Sequence, residues 1–384
     1  MIPLRVIDVD FNLYGEVPKY ESLQIVNNLF GIGSIELKIN RYMPKADLLE
    51  VDRIIFPLNR TDTPFQILHR EIELDEGGKA TENWVIKAVP LKAWLSDRLI
   101  LPPTHTANQN KSGNAETVMK HYVNISAVNP IDTKRIIPKL VIAADLKRGD
   151  NISRSARFDT LSDELKTIGE LTQIGWNISL DIENKRFVFD IIEGLNRVAS
   201  QTDRPPVVFS TEFKTLESLE YTESKLDYKN TAVVAGQGEG VNRKVIILND
   251  TNSGFDRKEI YIDARDVADT DTDEEGNEFP RPEADVIADL TDRGNEKLAE
   301  HLQEIFVNGQ ITNTIFRYGY DWFNGDTVTL EHKDWGIALD AQITQVKEIH
   351  EVGRAYKVEV VFDKDIPTFV DKISRTLRKV ADKR

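Results

Sequence analysis

The stretch from Arg317 to Phe362, RYGYDWFNGDTVTLEHKDWGIALDAQITQVKEIHEVGRAYKVEVVF, decides the fold class, because it dominates a strand-rich block that runs from Ile315 to Phe362. Working outward from it, Leu290 to Phe306 predicts a helix with Leu298, Leu302 and Ile305 on one face. Residues 266–285, DVADTDTDEEGNEFPRPEAD, are acidic, nearly free of large apolar side chains and hold two prolines, the composition of an exposed loop. On the other side, Ile366, Val370, Ile373, Leu377 and Val380 alternate steps of four and three, the a/d seam of a short amphipathic helix.

Further upstream the β pattern recurs from Pro205, with Val207 to Phe209, Ala232 to Ala235, Val245 to Leu248 and Ile260 to Ile262. Residues 105–200 read differently. Val118, Tyr122 and Ile125 keep helical spacing up to Asn129-Pro130, and Lys139 to Ala144 predicts a short strand. Leu161, Leu165, Ile168 and Leu171 mark a second helix, with Thr160 and Asp163 as a capping pair and Gly175 as its C-terminal glycine. Trp176, Ile178 and Leu180, a Glu183-Asn184-Lys185 turn, and Phe187, Phe189 and Ile191 then predict a β-hairpin. In the first hundred residues Ile7, Val9, Phe11 and Leu13 alternate with Asp8, Asp10 and Asn12, and Ile35, Leu37 and Ile39 follow Gly31-Ile32-Gly33. Phe65 to Leu74 and Trp84 to Val89 continue the series, at the spacing of a small barrel or sandwich.

The expectation is a β-rich α+β chain: two small β-barrel domains with an inserted α+β domain and a short C-terminal amphipathic helix. The expected division is a discontinuous first barrel (1–103 with 205–250), the insert (104–204), an acidic loop and helix connector (251–310), a second barrel (311–365) and the helix (366–384). Pro102-Pro103 and the polar stretch from Thr104 to Asn114 predict a boundary loop.

The chain has 384 residues, 49 Lys+Arg against 64 Asp+Glu and no cysteine, so disulfides, thiolate nucleophiles and thiolate-bound metals are excluded. A net charge of −15 argues against a general nucleic-acid binder, although it suits a wall past which DNA slides without sticking. The N-terminus lacks the charged-then-apolar pattern of a secretory signal and no run is long enough to span a membrane, so folding in a cytosol is expected. The C-terminal segment runs against the overall charge. From Asp371 to Arg384 six basic residues face two acidic ones, partly in keeping with the helix dipole. A seam on so short a helix needs a partner, either the chain's own barrel or a neighbouring subunit.

Gly236, Gly238 and Gly240 in GQGEG invite a nucleotide reading that fails on context. Val241 stands where the fingerprint needs glycine or alanine, a strand follows instead of a helix, and Glu239 repels phosphate, so a glycine-rich connection between strands is expected. Asp269, Asp271 and Asp273 have the spacing of a Ca²⁺ loop start, but Glu274 replaces the turn glycine and Glu278 misses the twelfth position, which favours a solvated acidic loop. The six histidines show no HExxH spacing and no GxSxG elbow occurs, so no catalytic or cofactor-binding residue is assigned and no enzyme is expected.

With these residues in view, Arg317 to Phe362 resembles the closing barrel of phage tail-hub proteins, in which an aromatic-rich strand precedes Gly-Asp-x-Val-x-Leu, here Gly325-Asp326-Thr327-Val328-Thr329-Leu330. A strand like Ala341 to Val346 and a last strand follow. Tyr228 to Gly240, YKNTAVVAGQGEG, and the helix-hairpin unit LSDELKTIGELTQIGWNISLDIENKRFVFDIIEG resemble the same family. The likeness is similar in order and spacing across most of the chain and is closest to siphovirus and prophage tail-tip proteins of Gram-positive hosts. Glu193-Gly194-Leu195-Asn196-Arg197 departs from that family's glycine-x-aspartate-arginine form.

The resemblance implies a virion tail component assembled in the host cytoplasm, without enzymatic activity or cofactor. It implies a homotrimeric ring that caps the tail tube, contacts the distal tail protein and tape measure protein, anchors a tail fibre or receptor-binding protein, and lets DNA pass without specific binding. Two rivals come from other classes. Trp84, Trp94, Trp322 and Trp335 would let a carbohydrate-binding adhesin stack sugars, although they sit in strand patterns that favour core positions. A cell-wall glycoside hydrolase would need a carboxylate pair that nothing singles out among 64 acids.

Overall fold

The computed structural model describes residues 2–58, 60–74, 81–272, 277–302 and 304–363. The expected C-terminal helix, with Ile366, Val370, Ile373, Leu377 and Val380, lies outside the described residues, as does Asp273.

The first β unit contains β1 (Leu4–Ile7), β2 (Leu13–Val17), β3 (Ser22–Asn28), β4 (Ser34–Asn40), β5 (Ile54–Pro57), β6 (Phe65–Glu71) and β7 (Asn83–Pro90). The insert holds β8 (Gln109–Asn114), α1 (Ala115–Val123), β9 (Leu140–Ile142), β10 (Asn151–Ala156), α2 (Leu161–Thr172), β11 (Gly175–Asp181) and β12 (Arg186–Ile192). After it come β13 (Val208–Ser210) and β14 (Leu216–Ser224). An outer unit follows with β15 (Thr231–Ala235), β16 (Val245–Leu248), β17 (Glu259–Asp263), β18 (Thr270–Thr272), β19 (Glu278–Pro280) and α3 (Glu283–Ala299). The second β unit is completed by β20 (Glu304–Ile311), β21 (Thr327–His332), β22 (Ile337–Glu351) and β23 (Lys357–Asp363).

The two β units are not separate barrels. They are halves of one sheet in the order β14-β20-β23-β22-β3-β4-β7-β6-β5-β1-β2, with β13 and β21 attached beside β22, and among the described residues the pairing does not close. The long strand β22 is the reason. Its first part pairs with β21 from Ile337 to Gln342, and its second part pairs with β3 from Gln345 to Glu351 and with β23 on the other side. In each half a buried cluster fed by all the strands around it shows that the sheet wraps its own core. Leu4, Val17, Ile25, Leu37, Ile55, Phe65 and Ile86 meet in the first; Phe209, Val307, Trp322, Leu330, Ile343 and Phe362 meet in the second.

The strand pairing also divides the chain differently from the expected 1–103 with 205–250. β13 pairs with β21 and β14 with β20, so residues 208–224 join the second half, while β15, β16 and β17 form a sheet of their own under α3. Alternation identifies a strand but carries no information about its partner.

The insert packs α1, α2 and the sheet β11-β12-β9 against the outside of the first half. The apolar run of β5 explains the seat: Ile55 faces the first core, whereas Ile54 and Phe56 face Trp176, Phe187 and Leu165 of the insert. Three local expectations change. The polar segment expected as a boundary loop contains β8, which pairs with β10 through its backbone without any apolar alternation. Helix α2 begins after Thr160, whose side chain makes no capping bond, and ends on Gln173 at φ 57°, with Gly175 opening β11 instead. The acidic stretch is not all loop: β18 and β19 pair in it, and α3 starts at Glu283, after Pro282 and with Glu283 and Asp285 in its first turn. The expected Leu290 to Phe306 helix therefore starts earlier and ends at Ala299, with β20 taking up its last residues. No helix among the described residues is long and apolar enough to cross a membrane.

Candidate assembly site

The insert, the two β halves and the long strand converge on one seam. At its centre, Gly325 has φ +101°, a conformation that favours glycine, and Gly194 passes directly beside it. A Cβ on Gly194 would stand 1.7 Å from the Gly325 carbonyl oxygen, so the two backbones touch where side chains would hold them apart. Asp326, 2% exposed, fastens this crossing. Its carboxylate accepts from Leu195 N–H at 2.8 Å, Phe323 N–H at 3.0 Å and Arg197 Nε at 2.7 Å. Backbone bonds from Thr327 N–H to Leu195 O and from Arg197 N–H to Thr327 O extend the lock, so the chain leaving the insert is bonded into the second half. Gly325 and Asp326, singled out in the sequence, are thus brought together with the Glu193 to Arg197 segment.

A second lock joins the halves. Glu348 on β22 is 2% exposed and accepts from Arg60 Nη1 at 2.6 Å and Tyr356 OH at 2.9 Å, while His350 Nε2 lies 3.9 Å away. Burial pushes this carboxyl upward, but His350, Arg60 and Tyr356 outweigh it and hold it below its ordinary value. Tyr20 nearby is pushed up to about 12, chiefly by burial. A third lock seats the insert: Lys92, 4% exposed, donates to Asn28 O at 2.7 Å and Trp176 O at 3.3 Å and lies over the Trp176 ring. Burial lowers its ammonium to about 7. Arg60, Glu348 and Lys92 escape sequence reading because nothing local marks them; Arg60 and Glu348 are 288 positions apart.

The remaining sequence-predicted residues lie elsewhere. Gly236, Gly238 and Gly240 form the connection from β15 to β16, with Gly238 at φ 100° and Gly240 at φ 55°. Arg243 folds back on it, donating to the carbonyls of Gly236 at 2.8 Å and Ala235 at 3.0 Å. Asp269 and Asp271 are both held by Arg281: its backbone N–H donates to Asp269 O at 2.9 Å, and its side-chain Nε lies 3.8 Å from the Asp271 carboxylate. Among the described residues no group of three or more His, Asp or Glu is placed to hold a metal ion. Of the tryptophans, Trp322 is fully buried, Trp94 bonds Gln66 and packs on Phe187, and Trp84 lies under Arg70. Trp335 is 54% exposed and stacks on His332.

These locks fix the insert and the two β halves relative to one another. No curated protein matches the chain significantly. Solved structures do resemble it in fold. The tail protein from Neisseria meningitidis MC58 aligns with a TM-score of 0.56 at 12% identity, covering 95% of this chain and 97% of that one. The 43 kDa tail protein of prophage MuSo2 from Shewanella oneidensis gives 0.55 at 10% identity, covering 94% and 98%. Prophage tail protein gp18 from Listeria monocytogenes EGD-e gives 0.50 at 12% identity over the whole of both chains. In sequence, residues 3–362 match a single family throughout. Both β halves, the insert and the outer unit fall inside that match, and the chain belongs to the Siphovirus ReqiPepy6 Gp37-like protein family.

Proposed function

We propose that this protein is the structural hub of a phage tail tip, without catalytic activity. Three copies form a ring that caps the tail tube, leaves a channel for tape measure protein and DNA, meets the distal tail protein and anchors a tail fibre or receptor-binding protein. The observation that supports this reading best is the continuous sheet. Two wrapped β halves fused through β22 and bolted by Asp326 and Glu348 give each copy two similar blocks at a fixed spacing, so three copies supply six positions around an axis. The net −15 fits a channel wall that repels DNA, and the basic C-terminal segment gives the ring an oppositely charged point of attachment.

The test is the size and shape of the full chain in solution. Gel filtration with light scattering is expected to give a trimer, and negative-stain images a ring with a central hole. A chain that stays monomeric at high concentration and shows no ring refutes the hub. Removing residues 368–384 is expected to weaken assembly or partner capture, and unchanged mass together with unchanged capture removes that role from the segment.

A further inference from the structure

Residues 231–299 fold around a core of their own. Ala232, Val234 and Ile262 from the small sheet pack under Val286, Leu290 and Leu298 of α3, apart from the three other cores. Two chain segments connect this outer unit to the second β half, one before β15 and one after α3. They are bonded to each other: Lys229 N–H donates to His301 O at 2.8 Å, and His301 Nδ1 lies 2.9 Å from Asp227 O. A narrow neck below an independent core is the geometry of a hinge.

Through its C-terminal half α3 meets β10 of the insert, and a cleft of about 530 Å³ lies between the two units. Among the described residues one ion pair spans it. Arg154 on β10, 8% exposed, grips Glu164 of α2 through Nε at 2.8 Å and Nη2 at 3.0 Å, and reaches Glu296 of α3 through Nη1 at 3.3 Å.

Several other charges around the cleft are paired within their own units. On α3, Asp289 is held by Arg281 at 2.7 Å and Arg293 by Asp266. Arg265 pairs with Asp263, also in the outer unit. On the insert side Arg157 and Asp159 join Arg154 and Glu164 at the rim. Asp292 of α3 faces the same cleft and has no hydrogen-bond or ion-pair partner among the described residues. We propose that the outer unit is a hinged flap which Arg154 clamps shut over the cleft, and that closure, by burying the partnerless Asp292, favours the protonated form of that residue.

Burial in the cleft is the largest cause that raises the Asp292 carboxyl from 3.8 to about 6. Asp289 and Glu296 add to it from the same helix whether the flap is open or closed, and Arg154 across the cleft opposes it, so closure acts on this proton through burial. The closed flap therefore holds this proton more tightly than an open one would. Closure is favoured by it in acid, and that advantage is lost as pH rises through about 6. The flap closes in mild acid and loosens toward neutrality.

The absence of cysteine permits a direct test. Cysteines at Glu170→Cys on α2 and Thr251→Cys on the outer unit carry a fluorescent donor and acceptor, with labelled copies diluted into unlabelled ones so that each reading comes from one copy. The closed-to-open ratio is expected to fall by a factor of about three to ten between about pH 5 and 7.5. Asp292→Asn should stay closed at both, and Glu296→Gln should be open at both, with circular dichroism confirming that each variant folds. A distance unmoved by pH and by Glu296→Gln overturns the flap. An intact pH response in Asp292→Asn overturns the part given to Asp292.

Discussion

At the scale of single residues, the seam depends on side chains that are absent as much as on those present. Gly194→Ala would press a methyl group into the Gly325 carbonyl, and because the obstacle is backbone, no rotamer change relieves it. A loss of about 3 kcal/mol is expected in urea unfolding, at the upper end of ordinary overpacking. Asp326→Ala leaves Arg197 and two N–H groups without their acceptor and should cost about 3 to 5 kcal/mol. If either variant unfolds like the parent, the seam does not hold the insert. Lys92 makes a pH prediction of the opposite sign to that for Asp292. Its folded-state value is depressed to about 7, so the folded chain binds this proton less readily than the unfolded one, and stability rises as pH increases from about 7 toward 10.5. Stability measured across that interval should climb in the parent relative to Lys92→Met, and parallel curves would show that the ammonium is not desolvated.

At the scale of elements, β22 and α3 do opposite things. β22 is bonded on both edges and ties the halves into a single unit, whereas α3 gathers a core that no other unit shares. Leu290, fully buried beneath α3, therefore tests whether that core is separate. Leu290→Ala is expected to cost about 2 to 5 kcal/mol, felt by the outer unit alone. Hydrogen exchange should show β15 to β17 losing protection while β22 and the insert keep theirs, and a uniform loss would mean one cooperative block.

At the scale of the whole molecule, a rigid body of two fused β halves with the insert carries one unit on a narrow neck. The hub reading needs the rigid part, because a ring closes only if the angle between copies is constant. The flap needs the neck, and its cleft is lined mostly by polar and charged residues on both faces, so that opening exposes little apolar surface. Assembly and flap motion are thus separable: a ring whose flaps do not move, or a moving flap on a chain that does not assemble, would refute one reading and leave the other standing.

Much of this architecture is written locally in the chain. Alternation marks β4, β6, β7 and β13, helical spacing marks α1 and α2, and the glycine pattern at Gly236 to Gly240 locates the connection from β15 to β16, because each depends on a period of a few residues. The alternation from Ile7 to Leu13, by contrast, falls on the turn between β1 and β2, and β3, β5 and β14 carry no sustained alternation of this kind. Gly325-Asp326 was visible as a motif, but not its partners Gly194 and Arg197, which only folding brings within bonding distance. Pairing lay beyond sequence reading for the same reason. A strand's alternation shows which face is buried and not which neighbour it joins, so the sequence predicts two barrels where β22 makes one sheet, and it carries no sign that β13 pairs with β21 and β14 with β20. Charges behave likewise: Arg60 with Glu348 and Arg154 with Glu296 are ordinary residues until burial removes the water that would otherwise screen them, and that removal is a property of the tertiary structure alone.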